Sequence, residues 1–492
     1  MNVFDYLFDS TQDFEKDFVL GSKETISFKK LYQESLKIAC YLNKKIGKNQ
    51  NVILISPNST FFLVAYLGIL KSGNICVPLN FDIEQSNLDY IIKTTESSTI
   101  FIAKRLIPKL NFNTDKYLID EDKLSQLVNN QKLDKGNFDF GENKVAKIIF
   151  TSGSTGEPKG VIISHQNIIS NTNSIIEYLK LTSKDIMGVV LPFYYCYGLS
   201  LLHTHLKVGG SLVLNNNFIF LGTVIKDLKN YKCTGFAGVP SHFQILLKKS
   251  QTFKTTEFPD LRYVTQAGGK LHFVFIEEFV EAFPKIDFYV MYGQTEATAR
   301  LSYLPPNNLK TKTNSIGKGI PDVELKIVNE KGETVGINEK GELLAYGNNI
   351  MLGYYKDKEL TNSTIKDGWL YTGDMAKIDK DGFIYLIGRK KEIIKVGGKR
   401  VSPKEIEEVI FSVQEVIDCT ITGFDDELLG EAIQATIVIN EELNQNHVKE
   451  KILQKCSKTL SLYKVPQKII FETSMKVSEI GKKIKKIGRA HV

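Results

Sequence analysis

The apolar positions of this chain recur at two alternating spacings, one typical of buried strands and one typical of helices. Short β-branched runs at 51–55, 147–150 and 211–214 predict strands. Longer patterns at 60–72 and 167–179 predict helices, and in the second of these the isoleucine and leucine positions fall on one helical face. This alternation predicts an α/β fold with layered, largely parallel sheets.

The pattern changes at about residue 316. Short strand patterns separated by turn signals, such as the one at 379–382, predict a β-rich subdomain over about 316–388. A charged connector follows at 388–392. Beyond it the pattern predicts two helices and a strand, at 403–412, 443–460 and 432–439. We therefore expect a large N-terminal domain at 1–388 and a small α+β C-terminal domain at 389–492.

The composition is that of a globular protein with more than one domain. The chain has 492 residues, too many for one compact core, and its contents of 42% hydrophobic and 24% charged residues are ordinary. The N-terminus carries an acid where a secretory signal would be basic. The best apolar stretch, 61–70, is shorter than the roughly 18 residues of a membrane span. We expect a soluble protein with no integral membrane segment.

The cysteines and the charge narrow the choice of partners. Six cysteines are scattered without a CxxC pair, so the sequence signals neither a zinc site nor a disulfide framework, and a reducing cytoplasm fits best. The net charge is +7, and much of the excess lies near the C-terminus, at Lys476, Lys482, Lys483, Lys485, Lys486 and Arg489. Because no aromatic residues are interleaved there, we do not expect a nucleic-acid partner.

A glycine-rich loop follows directly after the strand predicted at 147–150. Its sequence is Thr151-Ser152-Gly153-Ser154-Thr155-Gly156-Glu157-Pro158-Lys159-Gly160. Glycines let backbone amides converge on an anion, hydroxyl groups donate further hydrogen bonds, and Lys159 adds positive charge, so the loop is suited to phosphates. It is not a Walker loop, because Pro158 stands where that motif needs its second glycine. The alternative interpretation is a flexible Ser/Gly surface loop.

Four further segments complete an ordered set of motifs. They are Tyr292-Gly293-Gln294-Thr295-Glu296, Tyr371-Thr372-Gly373-Asp374, Gly388-Arg389-Lys390-Lys391 and Gly481-Lys482. With the glycine-rich loop they resemble the motifs of the adenylate-forming (ANL) superfamily of acyl-CoA synthetases, nonribosomal-peptide adenylation domains and beetle luciferases. In character the chain is most similar to stand-alone acyl-CoA ligases. The resemblance implies an acid–thiol ligase that uses ATP and Mg²⁺, forms an acyl-adenylate, releases pyrophosphate and then forms a thioester.

The resemblance also implies roles for individual residues. Glu296 would hold Mg²⁺ against the triphosphate, while the Thr295 hydroxyl and Lys159 act on phosphate oxygens. Asp374 and Arg389 would contact the ribose. The implied nucleotide-binding residues are Thr151, Ser152, Gly153, Ser154, Thr155, Gly156, Gly268, Gly269, Tyr292, Gly293, Asp374 and Arg389. Taken alone, Glu296 is also typical of a helix start, Asp374 of a turn and Arg389 of a surface ion pair.

A lysine near the C-terminus is the expected moving catalytic group. Joining a carboxylate to the α-phosphate brings two anions together, and an ammonium group would neutralise that charge. The resemblance assigns this role to Lys482, directly after a glycine, although Lys483 is a rival because the usual Gly-Lys-Ile spacing is stretched by one residue. It also implies a mobile C-terminal domain with a hinge at Lys391, which exchanges Lys482 for the 395–400 segment between the two steps.

The acyl pocket is expected among 193–198, 236–241 and 266–270. Its candidate lining residues are Tyr194, Tyr195, Tyr197, Phe236 and Gly238, although these aromatics could also be plain core. Amino-acid-activating relatives place an aspartate near the first segment. None occurs at 193–197, so we expect an uncharged fatty or aryl acid. Two alternatives stay open for Arg300: it pairs with a second carboxylate of the substrate, or it forms an ion pair at the surface.

The acceptor thiol is expected in trans because no carrier module follows before Val492. CoA is the first choice, and the phosphopantetheine arm of a separate acyl or peptidyl carrier protein is the alternative; the basic C-terminus suits both. An alternative of another class is a non-catalytic nucleotide-binding protein. The presence of Lys159, Glu296, Asp374 and Lys482 argues against it.

Overall fold

Strands and helices alternate along the first three hundred residues, as the hydrophobic spacing predicts. The computed structural model describes residues 1–21, 24–113, 116–132, 140–151, 157–390, 392, 394–397, 399–426 and 429–475. The helices are α1 Val3–Phe8, α2 Phe28–Ile46, α3 Thr60–Lys71, α4 Gln85–Thr95, α5 Glu121–Asn130, α6 His165–Leu179, α7 Cys196–Val208, α8 Leu221–Asn230, α9 Pro240–Lys249, α10 Phe273–Ala282, α11 Lys358–Thr364, α12 Pro403–Phe411 and α13 Gln445–Thr459. Short 3₁₀ helices cover Lys104–Lys109, Phe253–Thr255, Thr295–Ala297, Pro306–Asn308 and Leu462–Lys464.

The strands are numbered in the same way. They are β1 Asp17–Leu20, β2 Ile26–Ser27, β3 Asn51–Ile55, β4 Ile75–Leu79, β5 Thr99–Ile102, β6 Tyr117–Ile119, β7 Val145–Thr151, β8 Lys159–Ser164, β9 Ile186–Val189, β10 Ser211–Leu214, β11 Gly235–Gly238, β12 Tyr263–Gln266, β13 Asp287–Tyr292, β14 Ser302–Leu304, β15 Lys318–Gly319, β16 Val323–Val328, β17 Gly341–Gly347, β18 Gly353–Tyr354, β19 Ile365–Lys366, β20 Trp369–Ile378, β21 Ile384–Arg389, β22 Ile394–Val396, β23 Lys399–Val401, β24 Val416–Asp426, β25 Gly430–Ile439 and β26 Lys468–Phe471.

Two large sheets dominate the described part of residues 1–354. The first has the order β15-β14-β13-β12-β11-β9-β10-β1-β2, and the pairs from β13 to β1 are parallel. The second has the order β18-β8-β7-β4-β3-β5-β6, and the pairs from β7 to β6 are parallel. The prediction of an α/β fold with largely parallel sheets is confirmed.

A layer of helices lies between these two sheets. One hydrophobic core contains side chains from both sheets together with α1, α3, α6 and α7. Helix α3 is buried at every position from Phe61 to Lys71, because it packs against neighbours all round. This burial explains why its sequence is almost continuously apolar.

Two smaller sheets follow. Strands β16, β17, β20 and β19 pair in that order, and β21 pairs with β20 on the edge opposite β17. Strands β23, β22, β25 and β24 form the last sheet together with β26, which pairs with β25. Helices α12 and α13 cover this sheet with a separate core. The domain boundary that we place at residue 388 stays a prediction. No helix of the described chain is long and apolar enough to cross a membrane.

Candidate functional site

The predicted motifs meet at one edge of the first large sheet. Strands β11, β12 and β13 are parallel neighbours, and they end at Gly238, Gln266 and Tyr292. The carboxyl ends of adjacent parallel strands open on the same edge, which is where ligands bind in open α/β sheets. Segments far apart in the chain therefore line one cleft.

The glycine-rich segment joins two antiparallel strands rather than a strand and a helix. Thr151 ends β7, Lys159 begins β8, and these two residues are partners in the antiparallel register. Lys159 is half-buried at the start of β8. The predicted phosphate ligands from Ser152 to Gly156 lie outside the described residues. Strands β7 and β8 are thus antiparallel neighbours, whereas a Walker loop leads from a strand into a helix.

Asp374, Arg389 and Tyr292 come together from three strands. Asp374 is buried within β20 and stands opposite Arg389 of β21, so it is a strand residue and not a turn former. Its Oδ1 atom lies 3.2 Å from Arg389 Nε, and its Oδ2 atom accepts a hydrogen bond of 2.7 Å from the Tyr292 hydroxyl. Burial raises the pKa of Tyr292, and the Asp374 carboxylate raises it further. The same carboxylate raises the pKa of Arg389.

Glu296 is held by a segment that the sequence did not single out. The residue lies in the short 3₁₀ helix Thr295–Ala297, as its interpretation as a helix-start residue predicts. The Tyr354 hydroxyl donates a 2.9 Å hydrogen bond to Glu296 Oε1, and the Met351 amide donates one of 2.9 Å to the Glu296 carbonyl oxygen. Tyr354 belongs to β18, which pairs with β8 directly after Lys159. The carboxylate is thereby tied to the strand that follows the glycine-rich segment.

The turn around Gly293 requires a glycine. A Cβ atom there would lie 1.9 Å from the Ala299 carbonyl oxygen, so the chain passes its own backbone too closely for any side chain. In the next residue the Nε2 atom of Gln294 is buried and has no hydrogen-bond partner among the residues that the structure describes. An unsatisfied buried amide donor is costly, and a phosphate or ribose oxygen would satisfy it. The residues around Glu296 therefore fit a nucleotide.

The predicted acyl-pocket residues separate into two groups. Tyr195 precedes α7, Tyr197 lies in its first turn, and the Tyr197 hydroxyl bonds to Thr265 beside the cleft. Gly238 ends β11 at the cleft edge. Phe236, two residues earlier, packs against Phe243 in a second core on the outer face of the sheet, so the structure does not bring its side chain to the others. Tyr194 is half-buried and packs edge-on against Phe81.

The segment with Gly268 and Gly269, which the resemblance assigns to nucleotide binding, adopts a turn after β12. Gly268 has a φ of +85°, which favours glycine, and the Gln266 side chain donates a 2.7 Å hydrogen bond to the Gly269 carbonyl oxygen. The following residue, Lys270, forms an ion pair with Glu408 of α12. Helix α12 thus contacts the loop that borders the cleft.

Two family profiles match most of the chain. Residues 9–355 match the AMP-binding enzyme family, and residues 405–482 match the AMP-binding enzyme C-terminal domain. The chain belongs to the AMP-binding enzymes. This membership confirms the resemblance to adenylate-forming proteins that the motifs of the sequence carry.

Curated relatives of this AMP-binding enzyme are CoA ligases. The chain is 30% identical over 457 residues to the oxalate–CoA ligase of Arabidopsis thaliana, covering 89% of this chain and 88% of that protein. It is 28% identical over 503 residues to a long-chain-fatty-acid–CoA ligase of Yersinia pestis, covering 93% and 88%. The chain is an AMP-forming acid–thiol ligase.

Solved structures confirm the fold of this AMP-binding enzyme. The anthranilate CoA ligase AuaEII in complex with anthranoyl-AMP superposes with a TM-score of 0.90 at 22% identity, covering 98% of this chain and 95% of that one. ATP-bound MatB from Rhodopseudomonas palustris superposes with a TM-score of 0.86 at 24% identity, covering 98% and 97%.

Several predictions for the AMP-binding enzyme lie outside the described residues. They concern Ser152, Gly153, Ser154, Thr155, Gly156, Lys391, Lys482 and Lys483. Tyr354 is a site residue that the sequence did not predict, because nothing in its spacing connects it with Glu296. Sequence reasoning also took Arg300 for a surface residue as one alternative. That alternative is wrong, because Arg300 is only 2% exposed and forms no ion pair within the described chain.

Proposed function

We propose that the cleft at the carboxyl ends of β11, β12 and β13 catalyses both half-reactions of the ligase, with CoA as the acceptor. The observation that carries the proposal is the convergence of Tyr292, Asp374 and Arg389 with the Glu296–Tyr354 pair around one cleft. First, a carboxylate oxygen of the acid attacks the α-phosphate of ATP, and pyrophosphate leaves. Then the thiol attacks the acyl carbon, a C–S bond forms, and AMP leaves.

Asp374 is the proposed ribose ligand. One of its oxygens accepts a hydrogen bond from Tyr292 and the other forms an ion pair with Arg389, but a carboxylate has about four acceptor positions. The vicinal hydroxyls of a ribose could therefore donate to the two oxygens that remain fixed in place. Arg389, whose side chain is 50% exposed, is the proposed second contact.

Glu296 is the proposed Mg²⁺ ligand. When bound, the ion would offset the charge of the triphosphate and stabilise pyrophosphate as it leaves. The Tyr354 hydrogen bond fixes one carboxylate oxygen and the orientation of the group, which a metal ligand requires. Thr295 and Lys159 would contact phosphate oxygens from the two sides of the cleft.

CoA is proposed over a carrier protein because the curated relatives are CoA ligases. The carrier-protein alternative predicts that a phosphopantetheinylated protein replaces free CoA as the better acceptor. A cytoplasmic location accords with the six free cysteines. The C-terminal unit at 389–492 is proposed to move about Lys391, which would require the Lys270–Glu408 ion pair to break.

Pyrophosphate exchange into ATP with pooled carboxylic acids tests the adenylation step. We expect acid-dependent exchange, and the same pool should then yield acyl-CoA when CoA is added. Absence of exchange with every acid would favour the non-catalytic nucleotide-binding alternative. Comparison of CoA with a holo carrier protein as the acceptor separates the two thiol donors.

Separate variants test the two C-terminal lysines. We expect Lys482→Ala to lower exchange by about 100-fold or more, as loss of a preorganised charge contact to a transition state does. Lys483→Ala is the matched control and should change it by less than about 3-fold. The reverse pattern would assign the role to Lys483, and two small effects would contradict a catalytic lysine in this segment.

A proline tests the proposed hinge. Lys391→Pro should preserve adenylation and impair thioester formation, because fixing φ restricts rotation of the chain at that point. Lys391→Ala removes the side chain without restricting the backbone, so it should retain both steps. Equal loss of both steps in the proline variant would contradict the hinge.

A further inference from the structure

Arg300 is a buried cation directly behind the nucleotide motif. It is only 2% exposed, and its backbone carbonyl oxygen accepts hydrogen bonds from the side chains of Asn171 and Asn349, at 3.1 and 2.8 Å. The guanidinium carbon lies 4.0 Å from the centre of the Tyr197 ring. A Cβ atom at Gly293 would lie 2.9 Å from the Arg300 Cα atom. Arg300 thus contacts both the nucleotide motif and the predicted acyl segment.

The charge of Arg300 has no anionic partner in the described chain. The guanidinium interacts with the neutral hydroxyl group of Tyr178, whose pKa is raised by burial and lowered by Arg300. Two further hydrogen bonds of the Arg300 side chain run 3.2 Å from Nε to the Met291 sulfur and 3.5 Å from Nη1 to the Ala299 carbonyl oxygen. Both are weak, since sulfur is a poor acceptor and 3.5 Å is long for this bond. No carboxylate of the described residues lies within 4.0 Å. Burial of an unpaired charge is unfavourable, so this arrangement calls for an anion from elsewhere.

Two other cations, one half-buried and one buried, show why Arg300 is unusual. Arg262 also stacks on a tyrosine, Tyr263, at 4.4 Å, but the Asp185 carboxylate neutralises it at 2.9 Å. Lys147 is 1% exposed beside Cys76 and Cys196, and burial lowers its pKa to about 8, so it can lose its proton. An arginine cannot lose its charge in this way. Arg300 therefore keeps its positive charge where it stacks on Tyr197.

The position of Arg300 indicates what the anion belongs to. Tyr197, on which the guanidinium stacks, follows Tyr195 at the start of α7 and bonds through its hydroxyl to Thr265 of β12. These are the segments expected to surround the acyl chain. We propose that the acid substrate carries a second carboxylate, which Arg300 binds at the end of the acyl pocket.

This inference rests on the proposed function and narrows the class of acid substrate to acids with two carboxylates. The sequence favoured an uncharged acid because no aspartate occurs at 193–197, but that observation does not bear on a second carboxylate, and the burial of Arg300 removes the surface alternative for this residue. The lack of aspartate at 193–197 still argues against an ammonium group. The planar fork of the guanidinium matches a carboxylate with two parallel hydrogen bonds, so chain length and the second charge would be recognised together.

The wild-type enzyme provides the first test. Pyrophosphate exchange is measured with dicarboxylic acids of increasing length and one aryl diacid, each beside its monomethyl ester. For at least one diacid we expect kcat/KM to exceed that of its ester by about 100-fold, as the loss of a charge-assisted contact does. Exchange with esters and monocarboxylic acids that equals or exceeds exchange with all diacids would overturn the inference and leave the proposed function intact. Absence of exchange with every acid would overturn both.

Substitution of the arginine provides the second test. Arg300→Met should abolish the preference for the diacid over its ester, and Arg300→Lys should restore part of it. Arg262→Met, which removes the other arginine–tyrosine stack, should leave the preference unchanged even where it lowers the thermal midpoint. An equal fall for diacid and ester in Arg300→Met would show a structural role only. If Arg300→Met does not fold, the acid-to-ester ratio of the wild-type enzyme decides the question.

Discussion

Two clusters in this protein pair an arginine with a buried aspartate, and they differ in how many of their donors the protein itself satisfies. In the first, Asp185 accepts hydrogen bonds from Arg262 Nε at 2.9 Å, the Thr234 hydroxyl at 2.8 Å and the Thr182 amide at 2.7 Å. Arg262 also donates to two carbonyl oxygens at the C-terminal end of α6, at 3.1 and 3.4 Å. The protein itself thus provides hydrogen-bond partners for both charged groups of this cluster, which joins β9, β11 and α6.

The second cluster, around Asp374, is left partly open. Arg389 contacts the carboxylate through Nε alone, and its other guanidinium nitrogens make no hydrogen bond within the described residues. Arg300 extends the same trend, because it has no carboxylate at all among those residues. Ionic groups that serve only the fold are saturated by the protein, whereas groups that serve a ligand keep donors available. The contrast predicts loss of activity at one cluster and loss of stability at the other.

The largest effect is expected from Asp374→Asn. The change removes the charge that faces the ribose, and kcat/KM for pyrophosphate exchange should fall by about 100-fold or more. The thermal midpoint should hardly change, because Arg389 is half exposed and water can solvate it. A large drop in the midpoint with exchange retained per folded molecule would place Asp374 in the same class as Asp185.

Asp185→Asn should show the opposite pattern. Loss of the charge leaves Arg262 without its partner and should lower the free energy of unfolding by about 2 kcal/mol. This is less than for a fully buried pair, because the Arg262 side chain is 38% exposed. The urea midpoint measures the change, and exchange per folded molecule should stay within about 2-fold of wild type. A selective loss of exchange without loss of stability would contradict the distinction.

The pH dependence of the free energy of unfolding should also show that Asp185 serves the fold. Burial alone would raise the pKa of Asp185, but hydrogen bonds from Arg262, Thr182 and Thr234 outweigh it and lower the pKa. A lowered pKa stabilises the fold above the ordinary aspartate value of about 3.9, and this contribution is lost as pH falls through the folded-state value. The difference in urea midpoint between wild type and Asp185→Asn should therefore be constant from pH 7 to 5 and narrow below about pH 4. A constant difference at pH 3 would contradict the assignment.

The fold was predictable where the signal is local. The strand expected at 51–55 is β3, and the helix expected at 60–72 is α3, Thr60–Lys71, because hydrophobic spacing reports directly on burial. Helix α6 starts two residues before the predicted start, at His165. The reason is a reciprocal cap in which Asn167 N donates to Ser164 Oγ at 3.1 Å and Ser164 N to Asn167 Oδ1 at 2.9 Å.

The site was predictable as a set of motifs but not as a set of contacts. The resemblance selected Tyr292, Asp374 and Arg389, and the structure adds that they bond to one another. The resemblance could not identify Tyr354, because that residue lies 58 positions from Glu296 and reaches it through the pairing of β18 with β8. The burial of Arg300 was equally hidden, since a lone charged residue in a sequence is most often exposed.

The smallest predicted effect is that of a substitution at Tyr354. It tests the same distinction between groups that serve a ligand and groups that serve only the fold. Tyr354→Phe removes the hydrogen bond of 2.9 Å to Glu296, which orients the proposed Mg²⁺ ligand. The Mg²⁺ concentration for half-maximal exchange should rise by about 5-fold, as expected for the loss of one hydrogen bond to a charged group. The matched control is Tyr385→Phe, which removes a 3.1 Å hydrogen bond to Asp379 in the cluster around Lys312. Asp379 forms an ion pair with Lys312 and is not a proposed Mg²⁺ ligand, so the control should leave the Mg²⁺ dependence unchanged. Equal shifts in both variants would mean that the effect passes through general stability and that Tyr354 does not position Glu296.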